Sequence, residues 1–274
     1  MPELPEVEVT RRALAPALTG RRFVKACFYC DRLRKPLLDL SRLQGLKLHA
    51  LERRSKYLIW TFVNGKGEKR YLLSHLGMSG SWRLWQGEMP QRRPHDRVDL
   101  VFDGMTARLT DPRKFSDISF FQNDPRKLPP LNALGVEPLS VDFTAQKLYE
   151  GLHKSKRTVK SLLLDGRVVV GCGNIYANES LFAARILPTR PGNTIRREEA
   201  ESLYEAIVDV LQRALQAGGT TLRDFHGATG ETGWFALQCE VYGREGESCP
   251  RCGQTVRRLV QNGRSSFFCS RCQS

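Results

Sequence analysis

The chain has 274 residues, 41% of them hydrophobic, with 43 Lys and Arg against 29 Asp and Glu, a net charge of +14 and a pI of about 9.7. The apolar share is enough for packed cores and excludes wholesale disorder, while no apolar run approaches the ~18 residues of a membrane span. The N-terminus is acidic where a secretion signal would be basic and then apolar, so a cytoplasmic protein is expected, and the basic excess points to nucleic acid as its partner.

In chain order, PEVEVTRRALAPAL (residues 5–18) reads as a helix. Pro5 suits the first turn, and Glu6 and Glu8 suit the positive end of the helix dipole. From about residue 20 to 125 short apolar or alternating runs follow: KYLIWTFV, RYLLSHLGM, VDLVF and MTARLT, separated by turn signals such as NGKGEK and DG. An antiparallel β domain over residues 1–130 is expected. DPRKLPPLNALGVEPLS carries four prolines and reads as a linker, placed at 131–140. The texture then turns helical over 141–235: AQKLYEGLHK, TVKSLLLD, NESLFAARIL and EEAESLYEAIVDVLQRALQAGG. GATGETG reads as a flexible loop, and residues 236–274 form a third, small unit.

Eight cysteines are present, and four fall in the last 26 residues. Cys249-Pro-Arg-Cys252 and Cys269-Ser-Arg-Cys272, sixteen residues apart, give four thiolates for one tetrahedral, structural Zn2+. The other four, Cys27, Cys30, Cys172 and Cys239, are scattered, which fits a reducing compartment. Asn262-Gly263 between the pairs signals a tight hairpin with Arg264 beside its tip. Arg257, Arg258 and Arg264 then read either as a DNA probe or as solvated charges.

Three further stretches stand out. In VVVGCGNIYANESLF, Gly171 and Gly173 permit close backbone approach before a helix start, a geometry that suits phosphate or simply tight packing. KSKRTVK adds four cations nearby, which read as phosphate contacts or as a solvated charged face. In HLGMSGSW, Met78 between glycines reads as core filler or as an exposed wedge into a base stack, and Arg113 and Phe115 of TDPRKF as duplex-filling groups or as ordinary turn and core positions. The opening MPELPEVEV offers more. Removal of Met1 would leave the secondary amine of Pro2 as the N-terminus. An α-amino group titrates near ~7.7–8.0 against ~10.4 for lysine, so freeing its lone pair costs about 3 kcal/mol less. Such an amine can attack a sugar's anomeric carbon and form an iminium, and Glu3 beside it can donate a proton.

PELPEVE, RRSKYL, HLGMSGS, TDPRKF, GCGNIYANESLF, GGTTLRDF and the terminal CPRC…CSRC occur together and in order. The chain resembles the bacterial formamidopyrimidine-DNA glycosylase family, also called 8-oxoguanine DNA glycosylase, from residue 2 to about 273. The resemblance implies an α+β multidomain fold: a two-layer β-sandwich with an N-terminal helix, a helix–two-turn–helix DNA-binding domain and a β-hairpin zinc finger. It implies a bifunctional glycosylase and AP lyase that removes oxidised purines by base-excision repair, acting on an extruded base in the cleft between the first two domains. Pro2 would be the nucleophile, Glu3 the acid, Lys56 the phosphate contact of β-elimination and Arg264 that of δ-elimination. His95, Arg113, Lys156 and Asn174 would contact DNA. Met78, Arg113 and Phe115 would fill the gap left by the flipped nucleotide, and residues 220–237 would close over the extruded base. The partner would be double-stranded DNA carrying oxidised purines or abasic sites, bound by a monomer with one structural Zn2+ and no organic cofactor, in the bacterial cytoplasm and on the nucleoid when bound.

Departures are confined. Cys172 stands where a small apolar residue is usual and is expected to be buried and inert, while TDPRKFSD and HGATGETGWF diverge. Two rivals remain. The sister group, endonuclease VIII, removes oxidised pyrimidines, but usually has Gly where this chain has Leu4. A non-catalytic zinc-finger DNA binder would keep the charge, finger and wedge but has no use for Pro2, Glu3 and Lys56.

Overall fold

Pro5 in the first turn, and a reciprocal capping box in which the Glu3 N–H donates to Glu6 Oε2 at 2.7 Å, start the first helix, α1 (Leu4–Leu18). Val7, Leu14 and Leu18 line its inner face at helical spacing and are fully buried. The structure, a computed structural model, describes residues 1–37, 39–87, 89–219 and 238–274. It divides into two compact units, one built on Met1–Asn132 with the stretch beginning at Ala217, the other on Ala133–Gln216 with the C-terminal residues.

In the first unit α1 is followed by β1 (Phe23–Phe28), β2 (Lys47–Arg54), β3 (Tyr57–Val63), β4 (Lys69–His75), β5 (Ser81–Gln86), β6 (Asp96–Phe102), β7 (Met105–Thr110) and β8 (Asp117–Phe121). They form two antiparallel four-stranded sheets, ordered β2-β3-β4-β8 and β1-β6-β7-β5. One apolar core joins their facing sides to α1. Trp60 of β3 meets Trp82 of β5 edge-on, with ring centroids 5.4 Å apart. Phe23, Phe62 and Phe102 form a second aromatic cluster with centroids 5.5–6.3 Å apart. Buried Trp60 still satisfies its indole N–H, which donates to Ser74 Oγ at 3.0 Å.

The second unit contains α2 (Ala145–His153), α3 (Val159–Asp165), α4 (Asn174–Ala183), α5 (Arg197–Gln216), β9 (Arg257–Gln261) and β10 (Arg264–Phe268). Thr144 and Thr158 cap α2 and α3 through their hydroxyl oxygens. The stretch expected as helical through Leu187 stops at Ala183. Arg185 takes a left-handed φ of 60°, and the Ile186 N–H donates to the Leu181 carbonyl at 2.9 Å, a Schellman closure that ends the helix without glycine. The proline-rich stretch expected as a plain linker is partly ordered. Pro125–Lys127 and Leu131–Ala133 are 3-10 turns, and Val136 bridges Val169 in parallel. The hairpin turn at Asn262-Gly263 has φ of 50° and 73°, the all-positive pattern of a type I′ turn. No helix among the described residues is long and apolar enough to cross a membrane.

Leu14 is fully enclosed between α1 and the sheets, so Leu14→Ala leaves a cavity. It is expected to destabilise the first unit by about 2–5 kcal/mol, read as a lower urea midpoint with an unchanged denaturant slope.

Candidate nucleic-acid interface and zinc centre

Pro2 and Glu3 are both buried, immediately ahead of α1, and the adjoining Glu6 carboxylate is engaged in the capping box. Gly219, at φ 84°, also lies against Glu6: a Cβ there would stand 3.1 Å from Glu6 Oε1, so a side chain would crowd this corner. One turn along α1, Glu8 accepts from Arg11 at 2.8 Å, Arg12 at 3.0 Å and Arg53 at 3.1 Å. Burial alone would raise its pKa, but the hydrogen bonds from Arg11 and Arg12 and the charges of Arg11 and Arg53 override it, holding the carboxyl down to about 2. Arg53 also donates to the Ser55 carbonyl at 3.0 Å. The β2–β3 hairpin that carries Lys56 at its tip is thus tied to the helix that Pro2 and Glu3 lead into.

Lys56 is half-buried. Next to it, Tyr57 pairs in register with His75, their rings 4.8 Å apart. His75 Nδ1 accepts the Gly77 N–H at 3.0 Å, so the neutral ring carries its proton on Nε2. Burial, then the charges of Lys56 and Arg34, push its pKa down to about 4 against the opposing pull of Asp117.

Gly77 begins the turn that presents Met78. A Cβ at Gly77 would fall 2.2 Å from the Phe115 carbonyl oxygen, and one at Gly80 would fall 2.4 Å from that of Leu76, so this turn and the Asp111–Ser116 turn pack backbone to backbone. The fully buried Asp111 carboxylate accepts from Ser79 Oγ at 2.6 Å, from the Arg113 N–H at 3.2 Å and from the Ser116 N–H at 2.8 Å. Met78 and Phe115 nevertheless stay 40% and 43% exposed. Met78 is therefore not core filler, and Arg113 lies over the Phe115 ring at 4.9 Å. The structure brings this trio together. Exposed His95 joins them, since its carbonyl accepts the Asp111 N–H at 2.9 Å and its neighbour Arg97 donates to the Asp111 carbonyl at 2.9 Å.

In the second unit Asn174 starts α4 and its Nδ2 donates to the Ser265 carbonyl at 3.0 Å, next to exposed Arg264. The buried Lys160 ammonium donates to the same carbonyl and to Ser266 Oγ, each at 2.7 Å. Asn262 Nδ2 reaches Ser161 Oγ at 2.8 Å, and Asn178 Oδ1 accepts the Phe267 N–H at 2.8 Å. The finger hairpin is therefore pinned along its length to α3 and α4, which fixes where Arg264 emerges. Lys156 is exposed in the α2–α3 connection. Glu179, buried, accepts three consecutive backbone N–H groups, of Glu240, Val241 and Tyr242, at 2.8–3.0 Å. Burial raises its pKa and these three bonds oppose the rise.

Cys249, Cys252, Cys269 and Cys272 converge with all sulfurs within 4.8 Å of one another, including Cys249–Cys272 at 3.9 Å and Cys252–Cys269 at 3.5 Å. A Zn–S length of ~2.3 Å in a tetrahedron places sulfurs about 3.8 Å apart, so the set fits one structural Zn2+ with no position left open. Cys172 is buried, as expected of a position that usually holds a small apolar residue. The lesion-loop residues 220–237 lie outside the described residues. Sequence reasoning had not singled out His75, Asp111 or Glu179 for a role, and it counted Lys160 among the four cations of KSKRTVK, whereas Lys160 is buried with its ammonium on the finger hairpin. Each sits in an otherwise ordinary strand, turn or helix pattern, and only its contacts distinguish it.

Comparison with known proteins settles the family. The formamidopyrimidine-DNA glycosylase N-terminal domain model matches residues 1–118, its H2TH domain model matches 134–226, and a zinc finger found in FPG and IleRS matches 246–274. The chain belongs to the formamidopyrimidine-DNA glycosylase family. A family member from Laribacter hongkongensis is 45% identical over 276 residues and one from Thiobacillus denitrificans 46% over 277, each match spanning the whole of both chains. The crystal structure of MutM (Fpg) from Thermus thermophilus is 39% identical, with a TM-score of 0.88 over 99% of this chain and 98% of that one. A Lactococcus lactis Fpg mutant bound to Fapy-dG DNA is 32% identical, with a TM-score of 0.89 over the whole of both chains.

Two outcomes follow. His75 titrates near 6.5 when unfolded and about 4 when folded, so its contribution is complete above pH 6.5 and is lost as pH falls towards 4, roughly 3 kcal/mol in all. Glu179, whose pKa is raised on folding, acts in the opposite sense. His75→Gln should flatten the acid limb of stability between pH 6.5 and 4, measured by urea unfolding against the wild type. Separately, Cys249→Ser should release the metal and unpin the finger, seen as zinc content near zero with weakened DNA binding.

Proposed function

We propose that this member of the family is a base-excision repair glycosylase with AP lyase activity, acting on DNA that carries 8-oxoguanine or formamidopyrimidines. The observation that carries it is the N-terminus. Pro2 directly precedes a buried carboxylate pair, Glu3 and Glu6, at the head of α1, and α1 is clamped through Glu8 and Arg53 to the Lys56 hairpin. The lesions in the DNA bound to the structural relatives, Fapy-dG and 8-oxo-G, support the substrate class.

With Met1 removed, the Pro2 lone pair attacks C1′ of the damaged nucleotide and the N-glycosidic bond breaks, its electrons leaving with the base. Glu3 delivers a proton to the sugar ring oxygen as the ring opens, leaving an iminium between Pro2 and C1′. The iminium acidifies C2′. Loss of that proton expels the 3′ phosphate, a second elimination expels the 5′ phosphate, and hydrolysis frees Pro2. Lys56 and Arg264 bind the phosphates on either side as these bonds break. His95, Lys156 and Asn174 contact the backbone, and Met78, Arg113 and Phe115 occupy the space vacated by the flipped nucleotide, offsetting an extrusion cost of a few kcal/mol. The zinc finger contributes its fold, which sets the position of Arg264. The protein works as a monomer in the cytoplasm, on the nucleoid when bound.

Borohydride trapping on a duplex with one 8-oxoguanine opposite cytosine should give a covalent adduct that maps to Pro2. Binding without an adduct would leave a damage binder, the outcome also expected of chains that retain Met1, which intact mass separates. Glu3→Gln should slow base release by at least ~100-fold while leaving duplex affinity within a few fold.

A further inference from the structure

The outer face of the β1-β6-β7-β5 sheet carries a charge arrangement that base excision does not use. Along β5, Trp82 and Leu84 turn into the core, so Arg83 and Trp85 face away from it. On β7, Ala107 and Leu109 turn inward and Arg108 outward. The register sets Arg83 directly opposite Arg108, with Cβ atoms about 5 Å apart, where like charges repel.

Arg108 is fully compensated. Its Nε and Nη2 donate to the two Asp99 oxygens at 2.7 and 2.8 Å, and its Nη1 donates to Asp96 Oδ2 and the Pro90 carbonyl, each at 3.2 Å. Those carboxylates are engaged by other donors as well. Asp96 also accepts the Arg93 N–H and Thr110 Oγ1, each at 2.8 Å, and Asp99 also accepts the Tyr29 hydroxyl at 2.7 Å. Arg83 has no such partner: its Nε is buried without a hydrogen bond among the described residues. A buried, unpaired guanidinium N–H beside a second guanidinium is costly and calls for an explanation. Both arginines line one cavity of about 140 Å³ together with Arg93, Asp96, Thr110 and Trp85.

We propose that this cavity is a phosphate site, with Arg83 as its principal ligand. An oxyanion there would satisfy the Arg83 Nε and offset the Arg83 charge, which no carboxylate among the described residues pairs. The volume suits a group of phosphate size and falls below the ~300–1,000 Å³ that larger organic ligands occupy. Pro90 and Arg93 lie in the connection that leads to His95, so filling the site would brace the segment that presents that side chain. The phosphate is either free in solution or part of a DNA backbone. The inference stands on residues of the first unit and holds or fails independently of the excision chemistry.

The test is the 15N–1H resonance of Arg83 Nε, assigned by its loss in Arg83→Lys. Inorganic phosphate, added at constant ionic strength against chloride, should shift it saturably. If undamaged duplex DNA in phosphate-free buffer shifts it the same way, the natural source is the backbone; if DNA leaves it in place, the source is free phosphate. A linear or absent response to phosphate overturns the proposal, whatever DNA does. Arg83→Met gives a second arm. Without phosphate it should melt no lower than wild type, since it removes a like charge, and phosphate should raise its Tm less than it raises that of wild type. Equal rises in the two proteins would overturn the assignment as well.

Discussion

Asp111 holds the Met78 turn and the Arg113–Phe115 turn of the first unit together. Its carboxylate is fully buried, and removing a charge from water is tolerable only when donors replace the lost solvation. Here Ser79, Arg113 and Ser116 supply them, drawn from two different turns. The same bonds that make the buried charge affordable lock the Met78 turn to the Arg113–Phe115 turn. Two apolar side chains, Met78 and Phe115, thereby project from fixed turns and stay partly exposed to water. The wedge role proposed for them would need such fixed turns, because a side chain that collapses onto its own surface cannot replace a base.

The second unit solves a similar problem with neutral and cationic donors. A small hairpin stapled by metal has little core of its own, and Val256, Cys249 and Cys269 share theirs with Phe182 and Val241. Lys160, Asn174, Asn178 and Asn262 then bind the hairpin to the helices. The finger is therefore positioned by its neighbours and held in shape by its metal. Glu179 adds a third anchor, gathering three backbone N–H groups of the chain that enters the finger.

Charge is used in two distinct ways. The net +14 is a long-range property that any folded form of this composition would carry, and it favours a polyanion whatever the contacts. The local charges are set pair by pair. Glu8 is held ionised by three arginines and joins two elements, while His75 is kept neutral by burial beside Lys56. Arg83, set opposite the paired Arg108, has no such partner among the described residues.

Much of the protein was legible in its sequence because the relevant signals are local. Pro5 and the glutamates mark the start of α1, Asn262-Gly263 marks the hairpin, and the two Cys-x-x-Cys pairs mark the metal, each through geometry that spans a few residues. The ordered series of motifs carried the family. What the sequence left open was decided by contacts between residues far apart in the chain. Met78 could have been core filler until its exposure was seen, and His75 could have been an ordinary strand residue until Tyr57, Gly77 and Lys56 surrounded it. The end of α4 likewise followed from a backbone closure at Arg185 that no proline or glycine announces. The sequence by itself determined composition, element types, metal ligands and family, because these depend on neighbours along the chain. Tertiary structure alone decided which side chains are exposed, which charges are paired and which turns move as one, because burial and pairing depend on neighbours in space.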